Sequence, residues 1–197
     1  ARRFLQQICG ALHYCHCVMH IVHRDLKLDN LLLTGAGDDL LLADFGFAEY
    51  VGPSNKRLRL LCGSPHYSAP EVLRADKFDE KSDVFSYGRV AWELTTGKVP
   101  FDGSSLMHLF ENIALGAYEI PECIHHDPPL VELLRGLMHV DQEQRLSVAA
   151  ALRTPWMAER QDSSTWGERE RMLVATISRG SLVDGSRWES VVAAAAA

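Results

Sequence analysis

Residues 23–30, His-Arg-Asp-Leu-Lys-Leu-Asp-Asn, put a base, two cations, two acids and an amide into one short stretch. Asp25 and Lys27 are two residues apart, so both side chains can point to the same side of an extended turn. Asn30 follows at a distance suited to a second oxygen ligand. Asp44 stands at the end of a predicted strand and is followed by Phe45-Gly46. A hard cation such as Mg²⁺ takes oxygen ligands, usually one or two carboxylates together with phosphates. Asp44 and Asn30 supply two such ligands. Asp25 is then free to accept a proton from a hydroxyl, and Lys27 to offset charge on a phosphate. The set fits transfer of a phosphoryl group to an alcohol. Each piece alone has an ordinary explanation: His-Arg-Asp as a surface turn, Asp-Phe-Gly as a strand end. Their joint occurrence, in this order and spacing, is what makes the signal specific.

The elements that must position these residues follow from periodicity. Phe4, Leu5, Ile8, Leu12 and Cys15 recur at helical spacing and predict a helix over 2–17. Ile21-Val22 is a short extended piece leading into the eight residues. Leu31–Leu33 and Leu40–Leu42 flank Gly35-Ala-Gly37-Asp-Asp and predict a small β-hairpin. Residues 45–70 carry Gly, Pro and Ser and little periodicity, which predicts a long loop of the kind that is usually functional. Residues 81–96 are apolar nearly all round and predict a buried helix. Further helices fit 105–115, 130–139 and 147–153. The expected organisation is one mostly helical domain over 1–158 and a poorly specified tail over 159–197.

With these motifs in place, the chain resembles the C-terminal lobe of a eukaryotic protein kinase. His23-Arg24-Asp25 and Asn30 match the catalytic loop, and Asp44-Phe45-Gly46 the magnesium-binding motif. Ala69-Pro70-Glu71 matches the end of the activation segment. Ser82-Asp83-Val84 through Gly88 resembles the central helix, and Arg145 stands at the family's late arginine. Lys27 resembles the serine/threonine branch. Cys62-Gly63-Ser64-Pro65 and Asp44-Phe45-Gly46-Phe47-Ala48 resemble the calcium/calmodulin-dependent and AMP-activated kinase group. The resemblance implies a mostly α fold (α+β overall), a helical bundle with a small hairpin carrying the catalytic and metal loops, and no N-terminal lobe. It implies ATP and Mg²⁺ as cofactors. Asp25 is then the catalytic base, Lys27 steadies the γ-phosphate, and Asn30 and Asp44 bind Mg²⁺. Ser64 bonds near Asp25 and Lys27, and Leu32 is the floor of the adenine pocket. Glu71 and Arg145 are expected to form a buried pair, and Asp83 to hold the catalytic-loop backbone. Protein substrates with basic residues upstream of the acceptor are expected, because Asp29 and Glu93 stand where basophilic relatives have acids.

Two departures stand out. The Gly-rich phosphate loop and the strand lysine of a kinase N-terminal lobe are not in this sequence. Gly35 and Gly37 follow the catalytic loop and cannot be that loop. The expectation is therefore half of an active site, inactive by itself, with the missing segment as a partner. The second departure is Leu60, which occupies the place of the usual phosphorylatable Thr, so Arg24 has no phosphate to meet there. Ser54 and Tyr50 are the upstream hydroxyls in the segment.

The bulk properties fit these expectations. The chain has 197 residues, 47% of them hydrophobic, and a net charge of −6, which argues against general nucleic-acid affinity. The longest wholly apolar run, the closing VVAAAAA, is far short of a membrane span. Five cysteines and no secretion signal point to reduced thiols in the cytosol or nucleus. His13-Tyr-Cys15-His16-Cys17 has the composition of metal ligands, but Cys-x-Cys without a second pair is poor spacing for structural zinc. The rival function is a non-catalytic pseudokinase or scaffold that binds partners through the same lobe. A small-molecule phosphotransferase is disfavoured by Ala69-Pro70-Glu71 and Ser64, which belong to a peptide-substrate platform.

Overall fold

A helix that is apolar on almost every side must sit inside, and α3 (Lys81–Thr96) does: Val84, Phe85, Tyr87, Val90, Ala91 and Trp92 are all buried. It ends at Gly97, whose left-handed φ of 69° closes the last turn with its N–H on the Glu93 carbonyl. The computed structural model describes residues 1–33, 39–52, 58 and 62–158. Around α3 pack α1 (Arg2–His13) and α5 (Pro128–Leu137). Gly88 lies where α3 meets α5: a Cβ there would stand 2.6 Å from Met138 Cγ and 2.9 Å from Leu137 Cβ. The helix–helix approach therefore needs a residue without a side chain.

The first predicted helix ends differently from expectation. The α-helix stops at His13 and continues as a wider π turn over Tyr14–Val18, with Met19 N–H on the Tyr14 carbonyl at 3.0 Å. That turn brings the adjacent Cys15 and His16 both inward. β1 (Ile21–Val22) follows.

The hairpin is present as β2 (Leu31–Leu33) and β3 (Leu40–Leu42), in the register Leu31↔Leu42, Leu32↔Leu41 and Leu33↔Leu40. Leu40 and Leu42 turn into the core, and β3 packs on α1. Gln7 of α1 pins it, accepting the Leu40 N–H at 2.9 Å. The expected Gly35–Gly37 turn falls in residues 34–38, outside the described residues.

The predicted loop over 45–70 is more structured than its sequence promised. Phe45–Phe47 and Pro65–Tyr67 form single 3₁₀ turns, β4 (Glu49–Tyr50) pairs antiparallel with β1, and α2 (Pro70–Leu73) opens at Pro70. The β1–β4 pairing joins residues far apart in the chain, so local periodicity carries no trace of it. Residues 53–57 and 59–61, including Ser54 and Leu60, lie outside the described residues.

The later helices fall close to expectation as α4 (Leu106–Leu115), α5 and α6 (Val148–Ala151). Each starts at an N-cap whose side-chain oxygen accepts a backbone N–H: Ser105 from His108, Asp127 from Leu130 and Ser147 from Ala150. Pro at the first position starts α5 two residues earlier than its apolar stripe. A one-turn α7 (Pro155–Ala158) was not expected. Among the described residues, no helix is long and apolar enough to cross a membrane. The predicted tail over 159–197 lies outside the described residues.

Candidate active site

The loop between β1 and β2 is held from beneath by one buried acid. Asp83 of α3 accepts the backbone N–H of His23 at 2.7 Å and of Arg24 at 2.8 Å, one on each oxygen. His16 bonds the same carboxylate at 2.8 Å. Burial works against the charge on Asp83, yet the His16 bond and these partners hold its carboxyl below the usual range. The grip stabilises an unusual backbone: Arg24 has φ +67°, in the left-handed region that non-glycine residues seldom adopt. His23 is buried, and burial lowers its pKa. Its Nε2 faces the Ala43 carbonyl at 3.0 Å, and its Nδ1 faces the Asp25 N–H at 3.3 Å. A neutral ring protonated on Nε2 satisfies both.

Held in this way, Asp25 projects into a tight cluster. Its Oδ1 accepts the Ser64 N–H at 2.8 Å, and its Oδ2 meets Lys27 Nζ at 2.7 Å and Asn30 Nδ2 at 3.2 Å. Lys27 Nζ also donates to Ser64 Oγ at 3.0 Å. Burial raises the Asp25 pKa, but the bonds from Lys27 and Ser64 outweigh it and leave the carboxyl low. The same Asp25 bond raises the pKa of Lys27. The approach of Ser64 depends on Gly63, which has φ +85°; a Cβ there would collide with the Arg24 carbonyl. Beside the cluster lies a small cavity of about 20 Å³ lined by Arg24, Asp25, Cys62, Ser64, Asp83 and Ser86 among others. That is room for about a single water.

Asn30 uses both amide hydrogens on Asp25, one on its backbone carbonyl at 2.8 Å and one on its carboxylate. Among the described residues its side-chain oxygen accepts no hydrogen bond and is left for another partner. The hairpin brings Asp44 alongside, since Ala43 N–H bonds the Asn30 carbonyl at 2.8 Å. Asp44 is exposed, with φ +60°, and among the described residues accepts the Gly46 N–H on Oδ1, at 3.2 Å. Its second oxygen makes no hydrogen bond among the described residues. Two such oxygens flanking the hairpin, with one lysine beside them, fit a hard divalent ion bound chiefly through a phosphate ligand. With two bonds among the described residues, Lys27 has a third donor for such a phosphate. Leu32, the expected adenine floor, is 50% exposed.

The other sequence expectations fall on the platform below. Glu71 and Arg145 form a bidentate buried pair at 2.6 and 2.9 Å, and Arg145 lies over the Phe85 ring. The match to the Protein kinase domain family runs over residues 1–157.

The chain belongs to the protein kinase family. It is 40% identical over 154 residues to a probable serine/threonine-protein kinase of Dictyostelium discoideum, an alignment covering 78% of this chain and 18% of that protein. It is 40% identical over 158 residues to the serine/threonine-protein kinase SIK1 of Rattus norvegicus, covering 80% of this chain and 20% of that one. The chain thus spans about a fifth of the length of these curated relatives. It resembles the calcium/calmodulin-dependent and AMP-activated kinase group.

Sequence reasoning missed four residues of this kinase site. His16 was noted only as metal-ligand composition, whereas it caps Asp83. Glu49 pairs with Arg24 at 3.2 Å. Tyr67 donates its hydroxyl to Glu93 at 3.1 Å. Arg89, almost wholly buried in α3, lies over the Tyr67 and Phe101 rings, and burial lowers its pKa to about 10. Only a charge inside an otherwise apolar helix could have flagged Arg89.

Proposed function

We propose that this chain is the C-terminal lobe of a serine/threonine protein kinase that moves the γ-phosphate of ATP to protein hydroxyls. The observation that carries this reading is the Asp25 carboxylate, held ionised between Lys27 and the Ser64 amide beside two unspent metal-ligand oxygens. In this reading Asp25 orients the acceptor hydroxyl. The hydroxyl oxygen forms the new bond to the γ-phosphorus as the bond to ADP breaks, and Asp25 takes the displaced proton. Its low basicity suits a proton that leaves late, when the oxygen is already bonding to phosphorus. Lys27 offsets charge on the transferred group while Ser64 fixes its direction. Asn30 and Asp44 would hold Mg²⁺, which supplies charge neutralisation to the phosphates when bound. Leu32 would support the adenine. Positioning and electrostatics supply most of the catalysis in phosphoryl transfer. A kinase lobe over residues 1–158, followed by a tail over 159–197, is part of the same reading, as is a cytosolic or nuclear site of action.

The substrate platform would favour basic residues upstream of the acceptor. Asp29 is exposed in the catalytic loop, and its negative charge is felt by Glu93 on α3. Transfer of radiolabelled phosphate to a basic peptide by the full-length protein, compared with Asp25→Asn, tests the reading. Transfer that persists undiminished in the variant overturns it.

One observation favours the scaffold as a second reading for the 197-residue chain alone. Leu32 and Phe47 are 50 and 44% exposed, and in this reading Leu32 faces the ATP. An uncovered apolar face of this kind is a docking surface. On either reading the isolated chain should bind ATP weakly and transfer no phosphate, because no element among the described residues would cover the nucleotide from above.

A further inference from the structure

Arg24 sits between the candidate base and the candidate metal loop and touches both. Its backbone N–H is gripped by Asp83, and the next residue is Asp25. Its guanidinium reaches away from that loop. Nε donates to the Phe47 carbonyl at 2.5 Å, and Nη2 to Glu49 Oε2 at 3.2 Å. Phe47 ends the turn that follows Asp44, and Glu49 opens β4. The register that sets Val22 against Glu49 is what delivers the acid to Arg24. The Arg24 side chain is only 5% exposed, while that of Glu49 is 39% exposed. A cation so far from water needs a countercharge close by, and removing it leaves an uncompensated buried charge. Leu60 has no hydroxyl and cannot carry a phosphate to supply that charge.

We infer that Glu49 is a positioning residue: a carboxylate fixed in β4 that neutralises Arg24 and keeps the Asp25 loop and the Asp44 loop in register without any phosphate on the intervening segment. A carboxylate brings one charge where a phosphate brings nearly two. The Phe47 carbonyl makes up the difference in acceptors by taking Nε. The two loops are thus aligned, in the full-length protein, without a prior phosphorylation. The countercharge is part of the sheet pairing and cannot be added or removed by a modifying enzyme. This inference rests on the phosphoryl-transfer reading above.

The test uses the full-length protein, before and after phosphatase treatment, with Asp25→Asn as the control for that reading. Wild type should keep its activity after phosphatase. Glu49→Gln should lower kcat by about 10- to 100-fold through misplacement of the two loops, with little change in peptide KM. Glu49→Asp should retain more activity than Glu49→Gln, since it keeps the charge. A glutamine at a partly exposed strand position should fold, and an unchanged melting profile would separate the kinetic loss from unfolding. Should Glu49→Gln prove insoluble, the phosphatase arm on wild type still decides. Wild-type turnover in Glu49→Gln, or loss of wild-type activity on dephosphorylation, would overturn the inference while leaving Asp25-dependent transfer intact. Absence of any Asp25-dependent transfer would instead remove the phosphoryl-transfer reading itself.

Discussion

Asp25 and Asp44 carry the same functional group on opposite sides of one small hairpin, in contrasting surroundings. Asp25 is 4% exposed and bonded to Lys27, Asn30 and the Ser64 amide. Its loop is anchored through Asp83 to the most buried helix of the molecule. Asp44 is exposed and, among the described residues, accepts one bond, from the Gly46 amide. The difference is one of support. The core preorganises the group proposed to orient a hydroxyl, while the group proposed to hold an ion is left open. Only the first half of the site is rigid without a ligand.

Substituting the two acids separates these halves, and the effect should be the largest available. Asp25→Asn in the full-length kinase should lower turnover by about 10²–10⁴, the usual contribution of a positioned base, and leave binding of Mg·ATP nearly intact. Asp44→Ala should lower turnover as severely but also weaken Mg·ATP binding. Calorimetric titration alongside a radiolabel assay reads both. Equal loss of nucleotide binding in the two variants would break the division between a fixed base and an open metal residue.

The rigid half owes its rigidity to the platform beneath, so the next effect is on stability. Glu71 meets Arg145 at 2.6 and 2.9 Å, where neither side chain is more than 4% exposed. Arg145 also donates to the Lys81, His139 and Val140 carbonyls. Glu71→Ala strands a buried guanidinium and should cost about 3–5 kcal/mol. Denaturant unfolding of the chain measures it. A loss below about 1 kcal/mol, the level of a surface pair, would show that the platform is not held by this contact.

Legibility in the sequence divides along the same line as rigidity. The Ser64 contact near Asp25 and Lys27, the Glu71–Arg145 pair and the Asp83 hold on the catalytic-loop backbone were expected, because these residues belong to motifs of fixed spacing, whereas the bonds of Lys27 and Asn30 to Asp25 were not. Helices α3, α4 and α5 were visible because an amphipathic or wholly apolar period survives in the sequence. The β1–β4 pair was not visible: two residues on each side carry no period, and their partner choice is settled by tertiary packing. With that pair went Glu49. His16 was misjudged for a related reason, since its role depends on a π turn that shifts the inward face at the end of α1. Tyr67 and Arg89 act only through contacts across the platform, which no local pattern encodes.

A smaller effect appears on acidification. His23 is held neutral with its pKa lowered by burial, so the unfolded chain takes up the proton first. Stability is therefore full above the ordinary histidine value of 6.5 and falls as pH drops below it. Asp25 and Asp83, with lowered carboxyl values, have the same sign but act only below about 3.8. The melting temperature should thus decline in two stages, the first from His23 and the second from the acids. His23→Gln, which can keep a donor toward Ala43, should flatten the first stage and leave the second. An unchanged first stage would assign it to another group.

The smallest expected effect concerns substrate choice, where the comparison is between two acids on the open face. Glu93 is already engaged: its carboxylate accepts the Tyr67 hydroxyl at 3.1 Å and feels the positive charge of Arg89 one helical turn earlier. Asp29 is exposed, and its ionic influence reaches Lys27 and Glu93 rather than a dedicated cation. A substrate arginine would therefore gain more from Asp29, because pairing with Glu93 must compete with Tyr67 and with repulsion from Arg89. Exposed ion pairs are weak, so Asp29→Ala should reduce the preference for arginine upstream of the acceptor by only about two- to five-fold in relative kcat/KM. Glu93→Gln should reduce it less. Arg89→Leu removes the competing cation and should raise the contribution of Glu93, making the Glu93→Gln loss larger in that background than in the wild type. A positional peptide library run on these variants reads the order directly. A larger loss from Glu93→Gln than from Asp29→Ala, in the presence of Arg89, would mean that the buried arginine does not screen the carboxylate beside it.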